Sequence, residues 1–150
     1  WFRTPENDSC LGVDASRNFD YKWLKDDYNS GGNKCSDFYE GPNPRSEPEV
    51  KLLSNFLLKQ NKTIKLFLNL DGYGSQVSFP SVKLKHRSVD VLNDVAKAGL
   101  KNLKMHRDRE TKYSVRKDDH LTTPESFAMH KAKIKFSYKI ESMENRQSSI

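Results

Sequence analysis

The chain has 150 residues, with 26 Lys and Arg against 20 Asp and Glu, a net charge of +6, 35% hydrophobic and 31% charged residues. That length suits one domain with a modest core, and no apolar run reaches the length of about 20 residues that a membrane-spanning helix needs. The basic residues are spread along the chain without interleaved aromatics, so nucleic-acid binding is not indicated; a solvated basic surface, or one with affinity for anionic surfaces or acidic proteins, is expected. The chain opens on Trp1 with no signal-peptide pattern, which reads as a processed or expression product.

Residues 1–45 form a turn-rich region, punctuated by Asn29-Ser30-Gly31-Gly32-Asn33 and Gly41-Pro42-Asn43-Pro44. Two cysteines, Cys10 and Cys35, enclose much of it. A staple across that loop would contribute about 3 kcal/mol by the chain-entropy estimate. The sequons at Asn7 and Asn61 are candidate glycosylation sites and, with the cysteines, favour a secreted protein.

From residue 46 to 150 the pattern becomes α/β. Ser46 and Glu49 are placed as an S-x-x-E capping box, with Pro48 in the first turn, and Leu52, Leu53, Phe56 and Leu57 form the apolar stripe of the helix that follows. Ile64, Leu66, Leu68 and Leu70 alternate as a strand, and Phe67 on the opposite parity predicts burial of both faces. The strand stops at Asp71-Gly72-Tyr73-Gly74. A second helix is predicted over 88–104, with Leu92, Val95, Ala96, Gly99 and Leu103 on one face. In the last strand Ile134, Phe136, Tyr138 and Ile140 point inward, opposite Lys133, Lys135, Ser137, Lys139 and Glu141. The order helix, strand, helix, strand predicts some parallel pairing. The lysine-bearing face is expected to be solvated or to meet an acidic partner, because unpaired burial would be costly.

Several segments carry a family resemblance. Gly12-Val13-Asp14-Ala15-Ser16-Arg17-Asn18-Phe19 resembles the G-V-D-x-N-R-N-F/W segment of zinc metallocarboxypeptidases of the carboxypeptidase A/B type. Cys35-Ser36-Asp37-Phe38-Tyr39-Glu40-Gly41-Pro42 and Ser46-Glu47-Pro48-Glu49 are similar to that family's C-S-D-x-Y-x-G-P and S-E-P-E. Leu68-Asn69-Leu70-Asp71-Gly72-Tyr73-Gly74 looks like its strand ending in H-S-Y-G/S, and Ile134-Lys135-Phe136-Ser137-Tyr138-Lys139-Ile140-Glu141 resembles I-K-Y-S-F-T-F-E. The resemblance covers the C-terminal half of such a catalytic domain. It implies a partial carboxypeptidase-like mixed sheet flanked by helices, with a Cys10–Cys35 disulfide stapling the N-terminal loops, in a single truncated domain over 1–150.

The same resemblance implies roles for individual residues. Arg17 and Ser16 would bind the terminal carboxylate of a peptide, Tyr73 would line the substrate groove, Glu125 would select the last side chain, and Glu141 would be a vestigial general base. The pattern also departs from the family. Ser16 stands for Asn, Asp71 occupies the zinc-ligand His position, and Phe2 aligns with the Arg that stabilises an oxyanion. No H-x-x-E pair is present, and the mobile Tyr expected before Leu121 is absent. A catalytic zinc needs three protein ligands and an open position, so no metal ligands and no cofactor are assigned. Arg17 could equally pair with Asp14 or Asp20, Tyr73 pack at a strand end, and Glu141 offset Lys139 or Lys133.

These departures predict a secreted, catalytically inactive carboxypeptidase homologue acting as a binding or structural protein. The alternative is part of an active zinc metallocarboxypeptidase, zinc then being its cofactor, that removes C-terminal residues, basic ones if Glu125 selects. A protein partner or self-association is expected to cover the incomplete sheet, because unpaired strand edges invite association. A peptide C-terminus is a further possible ligand.

Overall fold

Residues 12–24, 32–72, 74–81, 86–105, 113–120 and 122–141 are described by a computed structural model, residues 86–87 and 102–105 by their backbone alone. Along them run helix α1 (Pro48–Lys59), strands β1 (Leu66–Asp71) and β2 (Gln76–Pro80), helix α2 (His86–Met105), strand β3 (Ser114–Asp118), the short helix α3 (Pro124–Ser126) and strand β4 (Phe136–Glu141). A one-turn 3₁₀ helix, Ala15–Arg17, precedes them.

The four strands form one mixed sheet in the order β1-β4-β2-β3. β1 runs parallel to β4 and β2 parallel to β3, whereas β2 and β4 are antiparallel. The α/β class and the partly parallel sheet expected from the sequence are therefore present. β2 and β3 are additions. β3 reads Ser-Val-Arg-Lys-Asp, whose lone Val115 offers no period-2 signal, so pairing with β2 rather than local pattern defines it.

Two apolar clusters hold the layers together. Phe19, Val50, Leu57, Phe127, Ala128, Ala132 and Ile134 pack with Phe67 on the odd-numbered side of β1. Val77, Phe79, Leu92, Ala96, Leu100 and Tyr138 join α2 to the opposite side. Full burial of a side chain such as Phe127 or Leu57 stabilises by about 1.5–3 kcal/mol. After α3 the chain widens into a π turn, Phe127–Lys131, in which the Ala132 N–H donates to the Phe127 carbonyl five residues back at 3.0 Å. That wide turn presses Phe127 and Ala128 into the core.

Tertiary contacts revise several local expectations. α1 starts at Pro48 with Glu47 at its N-cap, and no side chain caps it, so the Ser46–Glu49 box does not form. Ser46 Oγ instead donates to Glu47 Oε1 and accepts from Asn18 Nδ2, each at 2.9 Å, while Asn18 Oδ1 accepts the Glu47 N–H at 3.1 Å. A fully buried Asn from the N-terminal loop thus does the work expected of a local cap. Gly41 makes this approach possible: its φ is +93° and a Cβ there would lie 2.6 Å from Asn18 Nδ2.

The helix stripe is also rotated. α1 buries Val50, Ser54 and Leu57, leaving Leu52 71%, Phe56 55% and Leu53 38% exposed. α2 begins two residues early and buries Leu92, Ala96 and Leu100, whereas Val95 and Gly99 face solvent. β1 is not buried on both faces. Phe67 turns to the core, but Leu66, Leu68 and Leu70 are exposed. On β4 the polar side is covered by α3 and the π turn, so Ser137 and Glu141 are buried while Lys133 and Lys135, which precede the strand, remain exposed.

Residues 12–45 contain only turns and the 3₁₀ helix among those described. Cys35 is disulfide-bonded, whereas Cys10, Asn7, Phe2 and Tyr73 lie outside the described residues. Asn61 sits in the turn after α1. No helix among the described residues is long and apolar enough to cross a membrane.

Candidate functional site at the ends of strands β1 and β4

Parallel pairing in register brings Asp71 and Glu141 together as Cα partners at the C-terminal ends of β1 and β4. Crevices beyond the carboxyl ends of parallel strands are where α/β sheets commonly bind ligands. On the other flank of β4, Gln76 of β2 pairs with Glu141.

The Glu141 carboxylate is held on both oxygens. Lys139 Nζ lies 2.7 Å from Oε1, and Gln76 Nε2 donates to Oε2. Gly74 closes over it, since a Cβ at that position would come within 1.9 Å of Oε2. Burial by itself would push the Lys139 ammonium down. The hydrogen bond and charge of Glu141, with Asp118 and Glu125 behind, outweigh it and leave its pKa raised. Lys139 therefore stays charged, and Glu141 is the acid that pairs it, on its own strand rather than on a partner. Asp71 is exposed, with Oδ1 accepting the Gly72 N–H at 2.8 Å.

The 3₁₀ helix brings Ser16 to the same region. Ser16 and Asp71 both line an open concavity of about 300 Å³, with Phe19, Leu53, Asn69 and Leu70 also in its wall. Asp14 organises this turn, accepting from Ser16 N at 2.9 Å and Ser16 Oγ at 2.6 Å. Arg17 forms an ion pair with Asp14, and its guanidinium stands 4.7 Å from the Phe38 ring centroid. Of the acids that could pair with Arg17, Asp14 is the one in contact; Asp20 binds Lys131 at 2.5 Å.

Glu125 is buried behind the wall of the concavity. Its Oε1 accepts from Asn69 Nδ2 at 2.6 Å, while Oε2 is buried without a hydrogen bond. Burial pushes its carboxyl pKa up, opposed by a backbone hydrogen bond, by Asn69 and Thr123, and by the charge of Lys139. Asn69 thus connects Glu125 to the concavity. Nothing in the sequence pattern marked Asn69 or Gln76, because both act across strands that are distant in the chain.

The structure therefore gathers Ser16 and Asp71 around one concavity, sets Glu141 beside Asp71, and keeps Glu125 one layer below. A catalytic zinc requires three protein ligands. Among the described residues no group of three or more His, Cys, Asp or Glu could hold a metal. Asp71 offers an exposed carboxylate, but Glu141 is occupied by Lys139 and Gln76. That donor set does not fit the metal.

Comparison with known proteins gives the ancestry. The zinc carboxypeptidase family matches residues 1–148. Carboxypeptidase A6 of Mus musculus is 42% identical over 83 residues, 53% of this chain and 18% of that protein. Carboxypeptidase B of Canis lupus familiaris is 36% identical over 98 residues, 63% of this chain and 23% of that protein. The matched segments thus span less than a quarter of these curated relatives. Carboxypeptidase A from Helicoverpa armigera shares the fold, with a TM-score of 0.84 at 23% identity, over 97% of this chain and 37% of that one. Bovine thrombin-activatable fibrinolysis inhibitor, solved with a tick carboxypeptidase inhibitor, has a TM-score of 0.79 at 26% identity, over 97% of this chain and 51% of that one. With the family signature running along nearly its whole length and that fold beneath it, the chain belongs to the zinc carboxypeptidase family.

Proposed function

We propose that this chain is a secreted carboxypeptidase-family protein that does not hydrolyse peptides and works by binding, a polypeptide C-terminus being the ligand class its ancestry offers. The observation that carries the reading is the state of Glu141. A general base must come within hydrogen-bond reach of the water it activates, whereas this carboxylate is buried, paired with Lys139 and bonded to Gln76 beneath Gly74. Asp71 in place of an imidazole, and the lack of a third donor among the described residues, support the same reading. Cys35 in a disulfide and the sequons at Asn7 and Asn61 support a secretory route.

Zinc titration calorimetry, run alongside release of C-terminal aromatic and basic residues from short peptides, tests this. The expected result is neither stoichiometric zinc uptake nor release, with peptide binding that weakens when the C-terminus is amidated. Stoichiometric zinc together with residue release would replace it by the second reading, a portion of an active zinc enzyme. The match of the zinc carboxypeptidase family along residues 1–148 favours that second reading. In it Glu125 would select basic C-terminal residues and Ser16 and Arg17 would hold the carboxylate.

A further inference from the structure

The parallel pair β1 and β4 separates charge along its length. Both strands end on a carboxylate, Asp71 and Glu141, and the chain enters both from a lysine, Lys65 and Lys135. These lysines stand one step before the first registered pair, Leu66 and Phe136, and the Phe136 N–H donates to the Lys65 carbonyl at 3.3 Å. The 6 residues of each strand set this basic end about 20 Å from the acidic one. Leading into β4, exposed Lys131, Lys133 and Lys135 alternate with Ala132 and Ile134, which are 0% and 1% exposed. The core thus fixes the backbone of this stretch while three lysines project from it, alternate Cα atoms being no more than about 7 Å apart. Exposed Lys62 adjoins them, since its carbonyl accepts from Lys65 Nζ at 2.8 Å. Lys131 pairs with Asp20, but among the described residues Lys62, Lys65, Lys133 and Lys135 have no carboxylate within ion-pair distance. Like charges set opposite each other on neighbouring strands are destabilising, so the fold holds this cluster at a cost that an anion would offset.

We propose that this basic end is a docking surface for a sulfated polysaccharide, whose sulfates lie across Lys65, Lys133 and Lys135. The chemistry of the surface selects that class. Its cations are lysines, compact and strongly hydrated point charges, without the forked guanidinium that grips a carboxylate in two places. Protein interfaces are depleted in lysine and enriched in arginine and aromatic rings, so an acidic protein is a poorer match. Nucleic acid stacks its bases on open aromatic faces. Phe136, the ring at this surface, is half-buried, with Lys135 Nζ over it at 5.0 Å from the centroid. A lipid surface takes up apolar side chains set beside the basic ones, but Ala132 and Ile134, the residues between the lysines, are turned into the core. A linear chain of sulfates needs none of these, only cations repeated at short spacing on a rigid support. The surface lies at the opposite end of β1 from Asp71, so the proposal holds whether or not the chain hydrolyses peptides.

Heparin is the probe. The chain is expected to bind immobilised heparin at about 0.15 M NaCl and to release it as salt is raised, because exposed charges are then screened. Desulfated heparin should bind at least about tenfold more weakly. Combining Lys65→Gln, Lys133→Gln and Lys135→Gln should lower heparin affinity at least about tenfold. A control of the same net charge combines Lys51→Gln, Lys97→Gln and Lys101→Gln, at exposed positions on α1 and α2. It should lose less than about threefold. Mass-mapped acetylation of the parent chain reads the surface without any variant: heparin should protect Lys65, Lys133 and Lys135 and leave Lys97 and Lys101 reactive. No binding by the parent chain, or equal binding of desulfated heparin, overturns the proposal. Equal losses in the two triple variants, or equal protection of all five lysines, also overturn it, since the net charge of +6 would then be the cause. Tighter binding of poly-glutamate, oligo-dT or phosphatidylserine vesicles than of heparin at the same salt does so too, because the surface would then belong to another partner.

Discussion

Lys139 and Glu141, two residues apart on β4, point to the same side of the strand and meet at 2.7 Å with side-chain exposures of 22% and 11%. Period-2 geometry makes that meeting possible, and α3 with the π turn above it removes most of the water. The pair therefore lies between a surface bridge and a buried one, where loss of one partner is felt more than the pair is worth. Glu141→Gln should destabilise the protein by about 1.5–3 kcal/mol, the range for a hydrogen bond to a charged group. Urea denaturation of Glu141→Gln, Lys139→Met and the double variant would give the coupling directly. Additive effects would show the pair to be incidental. Because the Lys139 pKa is raised, its contribution is fully present below the ordinary lysine range. It is lost as pH rises through the raised value.

Two nearby glycines should respond very differently. A Cβ on Gly74 would meet Glu141 Oε2 at 1.9 Å and its Cβ and Cδ at 2.9 Å, whereas one on Gly72 meets nothing within 4 Å. Gly74→Ala should displace the whole Glu141 side chain and cost about 1–3 kcal/mol, as other overpacking does. Gly72→Ala should change stability by less than about 0.5 kcal/mol. Equal melting temperatures for the two variants would refute the placement of Gly74 over the carboxylate.

Glu125 predicts a pH dependence of opposite origin. Its carboxyl is pushed up by burial, so the folded state holds its proton more tightly than the unfolded chain does. The resulting stability is fully present below the ordinary carboxyl range and is lost as pH rises through the raised value. Denaturation at about pH 4, about pH 6 and about pH 8 should show that decline in the parent protein and a shallower one in Glu125→Gln. Identical slopes would mean that Glu125 is not the group responsible.

Core and exposed apolar residues should separate cleanly. Phe127 is fully buried and packs on Phe19 with ring centroids 5.5 Å apart, so Phe127→Ala should cost about 3–5 kcal/mol. Leu52 belongs to the stripe that the sequence assigned to the core, but at 71% exposure Leu52→Ala should cost less than about 0.5 kcal/mol in the lone chain. Chemical denaturation of both variants checks the rotated face of α1.

Sequence alone determined where the principal helices and two of the strands lie, because their apolar periods are local properties. It also determined the ancestry, through motifs that run from Gly12 to Glu141. It could not assign α1 its buried face, since Leu52, Leu53 and Phe56 are as hydrophobic as Leu57, and only the position of Phe127 and Phe19 decides which side is covered. Nor could it find the true support of the α1 start, because Asn18 reaches Glu47 across 29 residues of chain. The candidate site follows the same division. Asp71 and Glu141 were legible as family positions, but their adjacency comes from β1 pairing in register with β4. What holds Glu141 was decided by Gln76 arriving from β2 and by Gly74 leaving no room above. Periodicity and motif are written in neighbouring residues, whereas the environment of a charge is assembled from strands that meet only when the sheet forms.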